Sequence, residues 1–206
     1  VDLLRKAWRG ETIQHEGRRF RVDGLAVHPV ASTPPRLFMG GMSEPAIARV
    51  ARLGDGFLST GGIGHDLYVA AIQDGAAKRN QEQPPTKGAI CAGNWGIIAE
   101  DPEAEAAKIA DFVLYQANQY VAWGAFGPPD QVPLFADAES AIREGLYELW
   151  DADQAVESLV KMLRDYPEII DVHFWAQFPG ESVESGSHRM EYIARQVLPR
   201  VREQIQ

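Results

Sequence analysis

Short apolar runs alternate with longer amphipathic segments along most of the chain. Four apolar runs, each bounded by glycine or proline, lie at 36–39, 56–60, 89–98 and 169–178. Apolar residues recur at helical spacing in the segments that follow them, at about 44–53, 66–80, 102–123 and 187–206. Strands that alternate with helices predict an α/β fold in which helical crossovers join parallel strands.

The remaining segments complete the expected organisation. We expect residues 1–35 to form a helix over 2–9, a hairpin at 15–22 and an extended linker. Residues 36–206 then hold four β/α units with a helical insertion near 127–150, which includes a helix at 138–149. A further helix starts at Asp151, where Gln154 completes a capping box, and ends before Pro167. The whole of 1–206 is expected to be part of a single domain.

The number of β/α units is too small for a closed barrel. A (β/α)8 barrel needs eight units in roughly 250 residues, so four units make half a barrel or a small open sheet. Open edges of a parallel sheet promote aggregation unless something covers them. We therefore expect further residues or a second copy of the chain to complete the sheet, and a homodimer is the simplest such assembly.

Composition narrows the possible partners. The chain has 206 residues, and its 20 Lys and Arg against 29 Asp and Glu give a net charge of −9. This charge argues against nucleic acid or an anionic membrane as a partner, and no apolar run approaches the length of a membrane span. One cysteine, Cys91, excludes a disulfide framework and favours a reducing, cytoplasmic compartment. The five histidines lack ligand spacing, so we expect no metal site.

The turn Gly40-Gly41-Met42-Ser43 is the clearest candidate for chemistry. It joins a predicted strand to a predicted helix, and its glycines let backbone N–H groups approach an oxyanion. The positive end of the helix and the Ser43 hydroxyl would add to the attraction. These residues predict a phosphate site, although a tight turn capped by Ser43 would use the same residues.

Two further places at strand ends could line a site. Gly61 follows the second predicted strand, where it could pass close to a cofactor or belong to a flexible loop. In the fourth strand, Trp175 and Gln177 share a face with His173 and lie nearest the C-terminal end. They could line a substrate pocket, whereas His173 is better explained as filling the core. The opposite face, with Val172 and Phe174, should pack on helices.

The other reactive side chains have structural explanations. The acidic residues Glu103, Glu105, Asp151 and Asp153 stand at predicted helix starts, where the helix dipole favours them. Cys91 lies within a strand and is expected to be a buried, inert thiol. No nucleophile elbow or Walker loop occurs, and no catalytic residue is assigned.

Several segments, taken in order, carry a family resemblance. They are residues 3–11, 15–20, 39–43, 48–56, 177–180 and 197–199. Together they resemble the C-terminal half of the bacterial luciferase-like monooxygenases. The resemblance implies a luciferase-like (β/α)8 TIM barrel, of which this chain supplies about the C-terminal four units. It also implies dependence on reduced flavin or on a deazaflavin.

The resemblance assigns roles to the glycine turns. It implies that Gly40, Gly41, Met42 and Ser43 hold the phosphate of FMN or of a deazaflavin, and that Gly61 lies near the cofactor. The usual catalytic groups of the family belong to its N-terminal half. The expected function is a flavin-dependent monooxygenase that acts on a small organic substrate. The alternatives are a deazaflavin-dependent hydride-transfer enzyme, a non-catalytic flavin-binding or partner subunit, and an unrelated phosphate-binding α/β enzyme.

Overall fold

The computed structural model of the chain describes residues 1–78 and 88–205, and the side chains of 76–78 lie outside that description. The chain divides into two compact units. The first consists of Val1–Ser59 and Ile63–Cys91, and the second of Thr60–Gly62 and Ala92–Gln206. The end of the helix predicted to reach residue 80 lies outside the described residues. The described residues form one four-stranded sheet, one antiparallel hairpin and one two-stranded parallel sheet.

The first unit begins with a helix and a hairpin, as predicted, and continues with β/α units. Its elements are α1 (Asp2–Trp8), β1 (Ile13–Glu16), β2 (Arg21–Leu25), β3 (Phe38–Met39), α2 (Glu44–Leu53), β4 (Gly56–Thr60) and α3 (His65–Lys78). β3 pairs with β4 in parallel, in the register Phe38 with Gly56. The core of this unit includes Ile47 and Val50 of α2, which are spaced to face one side of the helix.

The second unit is mainly helical around short strands. Its elements are β5 (Ile90–Asn94), which starts in the first unit, β6 (Gly96–Ile98), α4 (Pro102–Lys108), α5 (Ala110–Ala122), α6 (Ala138–Arg143), β7 (Glu148–Trp150), α7 (Ala152–Asp165), β8 (Ile169–Phe174), α8 (Val183–Tyr192), a π-helical turn (Ile193–Val197) and α9 (Leu198–Ile205). The strand order in the four-stranded sheet is β3-β4-β5-β8. Asp151 and Gln154 form the predicted capping box at the start of α7.

The predicted third strand and the helix at 138–149 needed correction. The strand is interrupted at Trp95, and its second part, β6, pairs in parallel with β7. The helix expected over 138–149 ends already at Arg143, and β7 lies in the part of that range where a helix was expected. Gly145 follows with a φ of +80°, a left-handed conformation that ends helices readily. A three-residue strand depends on its pairing partner and leaves no periodic signal of its own.

Other predicted bounds were wrong by several residues. The helix expected over 102–123 is interrupted at Ile109, and β8 ends at Phe174 instead of 178. The last helical segment begins at Val183, before the expected 187, because the Ser182 side chain accepts a hydrogen bond from the Ser185 N–H. The π-helical turn comes directly before the segment that contains Pro199, whose missing N–H cannot continue a regular helix.

Two apolar clusters hold the second unit together. One joins Ile97 of β6 to Val113 and Ala117 of α5 and to Tyr147, all of them buried. The other joins α7 to the C-terminal helices, and Val172 and Phe174 pack against it. The prediction that this face of the fourth strand packs on helices is therefore confirmed. Within the described ranges, no helix is both long enough and apolar enough to cross a membrane.

Candidate functional site

The turn between β3 and α2 presents backbone N–H groups at a helix start. Ser43 occupies the N-cap position, and its carbonyl oxygen accepts a hydrogen bond of 2.9 Å from the Ile47 N–H. The predicted cap by the Ser43 side chain is not made. Pro45 lacks an N–H, so the N–H groups that the first turn can offer to an anion are those of Glu44 and Ala46. The Ser43 hydroxyl is exposed beside them and can donate to the same anion.

The two glycines of this turn differ in how strictly they are required. A Cβ at Gly41 would lie 2.8 Å from the Cβ of Ala46, closer than side-chain carbons approach one another. A Cβ at Gly40 would make an ordinary contact, 3.5 Å from the Leu58 carbonyl oxygen. Gly41 therefore permits the turn to lie tightly against α2. The turn is exposed at Met42 and Ser43, and the exposed Glu44 carboxylate beside it would oppose an anion.

Gly61 is held in the backbone network of the second unit. It has a φ of +57°, and its N–H donates to the Gly93 carbonyl oxygen over 2.9 Å. No heavy atom lies within 4 Å of the position a Cβ would occupy. The N–H of Gly61 is therefore already used, and the space beside its Cα is open.

A buried polar pair lies beside the core of the first unit. The Ser59 Oγ and the His65 Nε2 are 2.6 Å apart, and both residues are almost completely buried. Burial lowers the pKa of His65, and the nearby Asp66 carboxylate opposes this shift. The neutral imidazole is therefore favoured in the folded protein. His65 could not be assigned a role from the sequence, because neither a partner spacing nor a motif surrounds it.

The second unit contains a cleft between α5 and the segment that follows β8. Trp175 and Gln177 both line it, so the structure brings these two predicted pocket residues together. The cleft has a volume of about 580 Å³. Its lining consists of Tyr115, Gln116, Gln119, Tyr120, Trp123, Trp175, Gln177, Phe178, Pro179 and Gly180. We call this site the aromatic cleft.

Aromatic rings form one wall of the aromatic cleft, and Trp95 packs behind that wall. The ring centroid of Trp95 lies 5.0 Å from those of both Tyr120 and Trp175, and Tyr120 also contacts Trp123 edge to face at 5.7 Å. Burial raises the pKa of Tyr120. Its phenol therefore stays protonated at neutral pH and can donate a hydrogen bond. Trp95 packs against both Tyr120 and Trp175 and thus supports the wall.

The contribution of α5 to the aromatic cleft was missed in the sequence. Tyr115, Gln119 and Trp123 are spaced four residues apart and so lie on one face of the helix. This spacing was the available signal. Buried Gln116 sits between the cleft and the core, where its Oε1 accepts a 2.7 Å hydrogen bond from the Tyr147 hydroxyl. Its amide is thereby held in one orientation.

A buried ion-pair network supports the segment that follows β8. Arg189 of α8 is 2% exposed and donates to the Ala176 carbonyl oxygen over 2.6 Å. It also pairs with Glu181 and, over 2.6 Å, with Glu105. Glu105 was expected to be one of the acidic residues serving a helix start. Glu105 does stand in the first turn of α4, which the Asp101 side chain caps, and its carboxylate also holds Arg189.

Glu181 ties the same segment to itself. Its Oε2 accepts a 3.0 Å hydrogen bond from the Phe178 N–H, and its carbonyl oxygen accepts one of 3.0 Å from the Gln177 side chain. Burial acts to raise the pKa of Glu181. The hydrogen bonds from Arg189, Ser185 and the Phe178 N–H outweigh burial, so that the pKa lies below its ordinary value. The ionised carboxylate therefore fixes the wall formed by 177–180.

The remaining candidates lie outside these sites. His173 is half-buried in β8, and Cys91 in β5 is half-buried where a buried thiol was expected. In the part of the chain that the structure describes, no three His, Cys, Asp or Glu side chains are grouped so that they could hold a metal ion.

Comparisons with known proteins give a consistent result. A family model described as luciferase-like monooxygenase matches residues 1–160. The F420-dependent glucose-6-phosphate dehydrogenase of Mycobacterium avium is 37% identical over 84 residues, which are 37% of this chain and 24% of that enzyme.

Two solved structures resemble nearly the whole chain. Monooxygenase RslO1 from Streptomyces bottropensis aligns with a TM-score of 0.65 at 18% identity, over 97% of this chain and 59% of that one. The oxygenating constituent of 3,6-diketocamphane monooxygenase from Pseudomonas putida, solved with FMN, aligns with a TM-score of 0.61 at 15% identity, over 95% and 60%. The chain thus spans about three fifths of the length of these two structures, and the likeness shows the partial (β/α)8 barrel that the sequence predicted.

Proposed function

The chain belongs to the luciferase-like monooxygenase family, and from that premise we propose that it is part of a flavin-dependent oxidoreductase acting on a small organic substrate. The observation that carries the proposal is the turn at the start of α2, which is sterically constrained at Gly41 and opens its N–H groups to solvent. Bound in its reduced form, the flavin would supply the oxygen-activating chemistry. The protein would orient the cofactor and the substrate and exclude water.

Each residue of the turn has a distinct part in holding a phosphate. Gly41 lets the chain approach α2 closely, and Gly40 and Met42 belong to the turn that leads to the start of α2. Ser43 donates its hydroxyl to the phosphate. The N–H groups of the first turn of α2 and the helix dipole supply the remaining attraction. Gly61 gives the cofactor room instead of a hydrogen bond. Within the second unit, Trp175 and Gln177 would contact the substrate in the aromatic cleft.

A deazaflavin in place of FMN is the second candidate. It is favoured by the Mycobacterium avium relative, whose name specifies F420, a deazaflavin coenzyme. The side chain of F420 also carries a phosphate, so the same turn could hold that phosphate. The chemistry would then be hydride transfer instead of oxygenation. A non-catalytic partner subunit would keep the fold and bind neither cofactor.

The test is a titration of FMN and F420 against the full-length protein and its Ser43→Ala variant. Loss of one hydrogen bond to a charged phosphate costs about 1.5–3 kcal/mol, so affinity for the true cofactor should fall about ten- to a hundredfold. Ser32→Ala, in the exposed linker, is the matched control and should bind normally. If Ser43→Ala bound both cofactors with unchanged affinity, the phosphate would not bind at the turn formed by residues 40–43. Binding of neither cofactor by the parent protein would favour the partner subunit.

We further propose that the protein works as a homodimer in the cytoplasm. Leu58 lies in the middle of β4 and is 45% exposed, while its neighbours Phe57 and Ser59 are at most 2% exposed. An apolar side chain so placed on a strand supports a covered sheet face in the assembled protein. The single cysteine fits a reducing compartment, and the charge of −9 fits a protein without a nucleic-acid partner.

A further inference from the structure

We propose that the aromatic cleft binds an uncharged, ring-containing substrate that bears a carbonyl or hydroxyl group, and that it rejects phosphorylated substrates. The inference rests on the proposed function, because it names the substrate class of the same oxidoreductase. It follows from three properties of the aromatic cleft: its ring-lined wall, its lack of charge and its size.

The wall suits a ring that stacks. Trp175 and Tyr120 line the aromatic cleft, and Trp95 packs behind both of them at 5.0 Å. These contacts hold the two lining rings in place before any ligand arrives. Trp123 is 72% exposed at the mouth, which leaves most of its surface available for contact. Stacking on rings that are already fixed costs little conformational entropy, so a planar or alicyclic ring gains the most here.

The lining does not complement an ion. Among the described residues that line the aromatic cleft, none carries a charge. Arg189, which supports the segment at 177–180, is buried and paired with Glu181 and Glu105. A phosphate would therefore lose its water without gaining a cation or a bidentate partner. A sugar phosphate, such as the one in the name of the Mycobacterium avium relative, would require a site with such a partner.

Neutral polar groups nevertheless face the space. Gln119 and Gln177 supply amide groups, and the protonated phenol of Tyr120 supplies a donor. Such groups match one carbonyl or hydroxyl on an otherwise apolar ligand. The volume of about 580 Å³ lies within the range of small-molecule sites and exceeds what a single small ring fills. A fused or bridged ring compound fits these limits.

The probes for the test are a matched pair with the same ring. 2-Naphthol is neutral and bears a hydroxyl, 2-naphthyl phosphate replaces that hydroxyl with a phosphate ester on the same ring, and glucose 6-phosphate has the anion without an aromatic ring. Isothermal titration calorimetry on the full-length protein without cofactor should show 2-naphthol binding at least about tenfold more tightly than either phosphate. Equal or tighter binding of 2-naphthyl phosphate would overturn the proposal.

Two substitutions locate the binding and test its charge preference. Trp123→Ala removes an exposed ring and should weaken 2-naphthol about two- to tenfold without affecting folding. Leu134→Ala, also exposed but outside the aromatic cleft, is the matched control and should bind like the parent protein. Gln119→Lys introduces a cation and should improve binding of 2-naphthyl phosphate at least about threefold. If Trp123→Ala and Gln119→Lys both left the affinities unchanged, the ligand would bind elsewhere and the proposal would fail.

The same variants separate the substrate class from the cofactor. Ser43→Ala should leave 2-naphthol binding unchanged, whereas Trp123→Ala should leave the affinity for free FMN and F420 within about twofold. Binding of 2-naphthol without binding of either cofactor would contradict the proposed function alone. Cofactor binding together with a preference for 2-naphthyl phosphate over 2-naphthol would contradict the substrate class alone.

Discussion

Adjacent glycines at 40 and 41 have different steric limits although they share one turn. At Gly41 an added methyl would lie 2.8 Å from the Ala46 Cβ, while at Gly40 the nearest atom would be 3.5 Å away. Neither glycine has a positive φ, so space and not backbone strain distinguishes them. A substitution at Gly41 therefore tests the close approach to α2, and the same substitution at Gly40 is its control within one turn.

Gly41→Ala should destabilise the protein by roughly 1–3 kcal/mol and weaken cofactor binding, because the turn must move away from α2. Gly40→Ala should change the free energy of unfolding by less than about 0.5 kcal/mol. Urea unfolding of both variants, followed by FMN and F420 titrations, measures the two effects. Equal losses at the two positions would show that the close approach of the turn to α2 is unimportant.

His65 should make stability depend on pH. Burial lowers its pKa in the folded protein below the unfolded value of about 6.5, so protonation favours the unfolded chain. The stability that neutral His65 contributes is thus present above about pH 6.5 and is lost as the pH falls through the folded pKa. The difference in unfolding free energy between the parent protein and His65→Gln should shrink from about pH 7.5 to about pH 5. A difference independent of pH would contradict this expectation.

At the level of elements, the guanidinium of Arg189 connects three parts of the second unit, which are α4, α8 and the segment after β8. Arg189 joins Glu105 of α4 to Glu181 and to the Ala176 carbonyl oxygen. The carboxylate of Glu181 has a side-chain exposure of 1%, so removing Arg189 alone leaves a buried charge. This network connects two helices to the wall of the aromatic cleft.

Arg189→Met should destabilise the protein by about 3–5 kcal/mol, because it leaves Glu181 buried and unpaired. Adding Glu181→Gln to Arg189→Met should recover part of that loss, since the orphaned charge disappears. Guanidinium denaturation of the two single variants and the double variant forms the required cycle. Additive losses would mean that the two side chains do not stabilise each other.

Prediction from the sequence succeeded for elements whose signals are local. The bounds of α2 followed from Ser43, Pro45 and Gly54, and the start of α7 from Asp151 with Gln154. It failed where the cause lies far along the chain. β7 exists because β6 pairs with it, and Arg189 meets Glu105 across 84 residues. The strand, turn and helix around residues 40–43 and the common location of Trp175 and Gln177 could be predicted from the sequence. The residues that α5 contributes to the aromatic cleft could not be matched to them without the fold.

For the whole molecule, the important feature is apolar surface that is exposed on the parallel sheet. In the first unit Leu58 of β4 is 45% exposed, and it lies on the opposite face of the strand from the buried Phe57 and Ser59. Single exposed apolar residues are common, but within strands of a parallel sheet they indicate a face that another layer covers. The two aligned luciferase-like structures are longer than this chain, which agrees with such a layer.

Residues 1–206 expressed alone should therefore associate or aggregate instead of forming a stable monomer, and Leu58→Lys should reduce that association. Leu4→Lys, which changes a leucine 48% exposed on α1, is the matched control and should have little effect. Sedimentation velocity over a concentration series measures the species present. A single, concentration-independent monomer in the parent 206-residue chain would contradict the expectation.

The indole pair of Trp95 and Trp175 has a spectroscopic consequence. Their ring centroids are 5.0 Å apart and their planes are tilted by 36°, an arrangement in which the electronic transitions of the two chromophores couple. Coupled, tilted chromophores give a paired positive and negative band in circular dichroism. Because Trp175 also lines the aromatic cleft, any ligand that shifts its ring changes the sign or splitting of that band. The protein thus carries an intrinsic optical reporter of occupancy, which needs no label and no turnover.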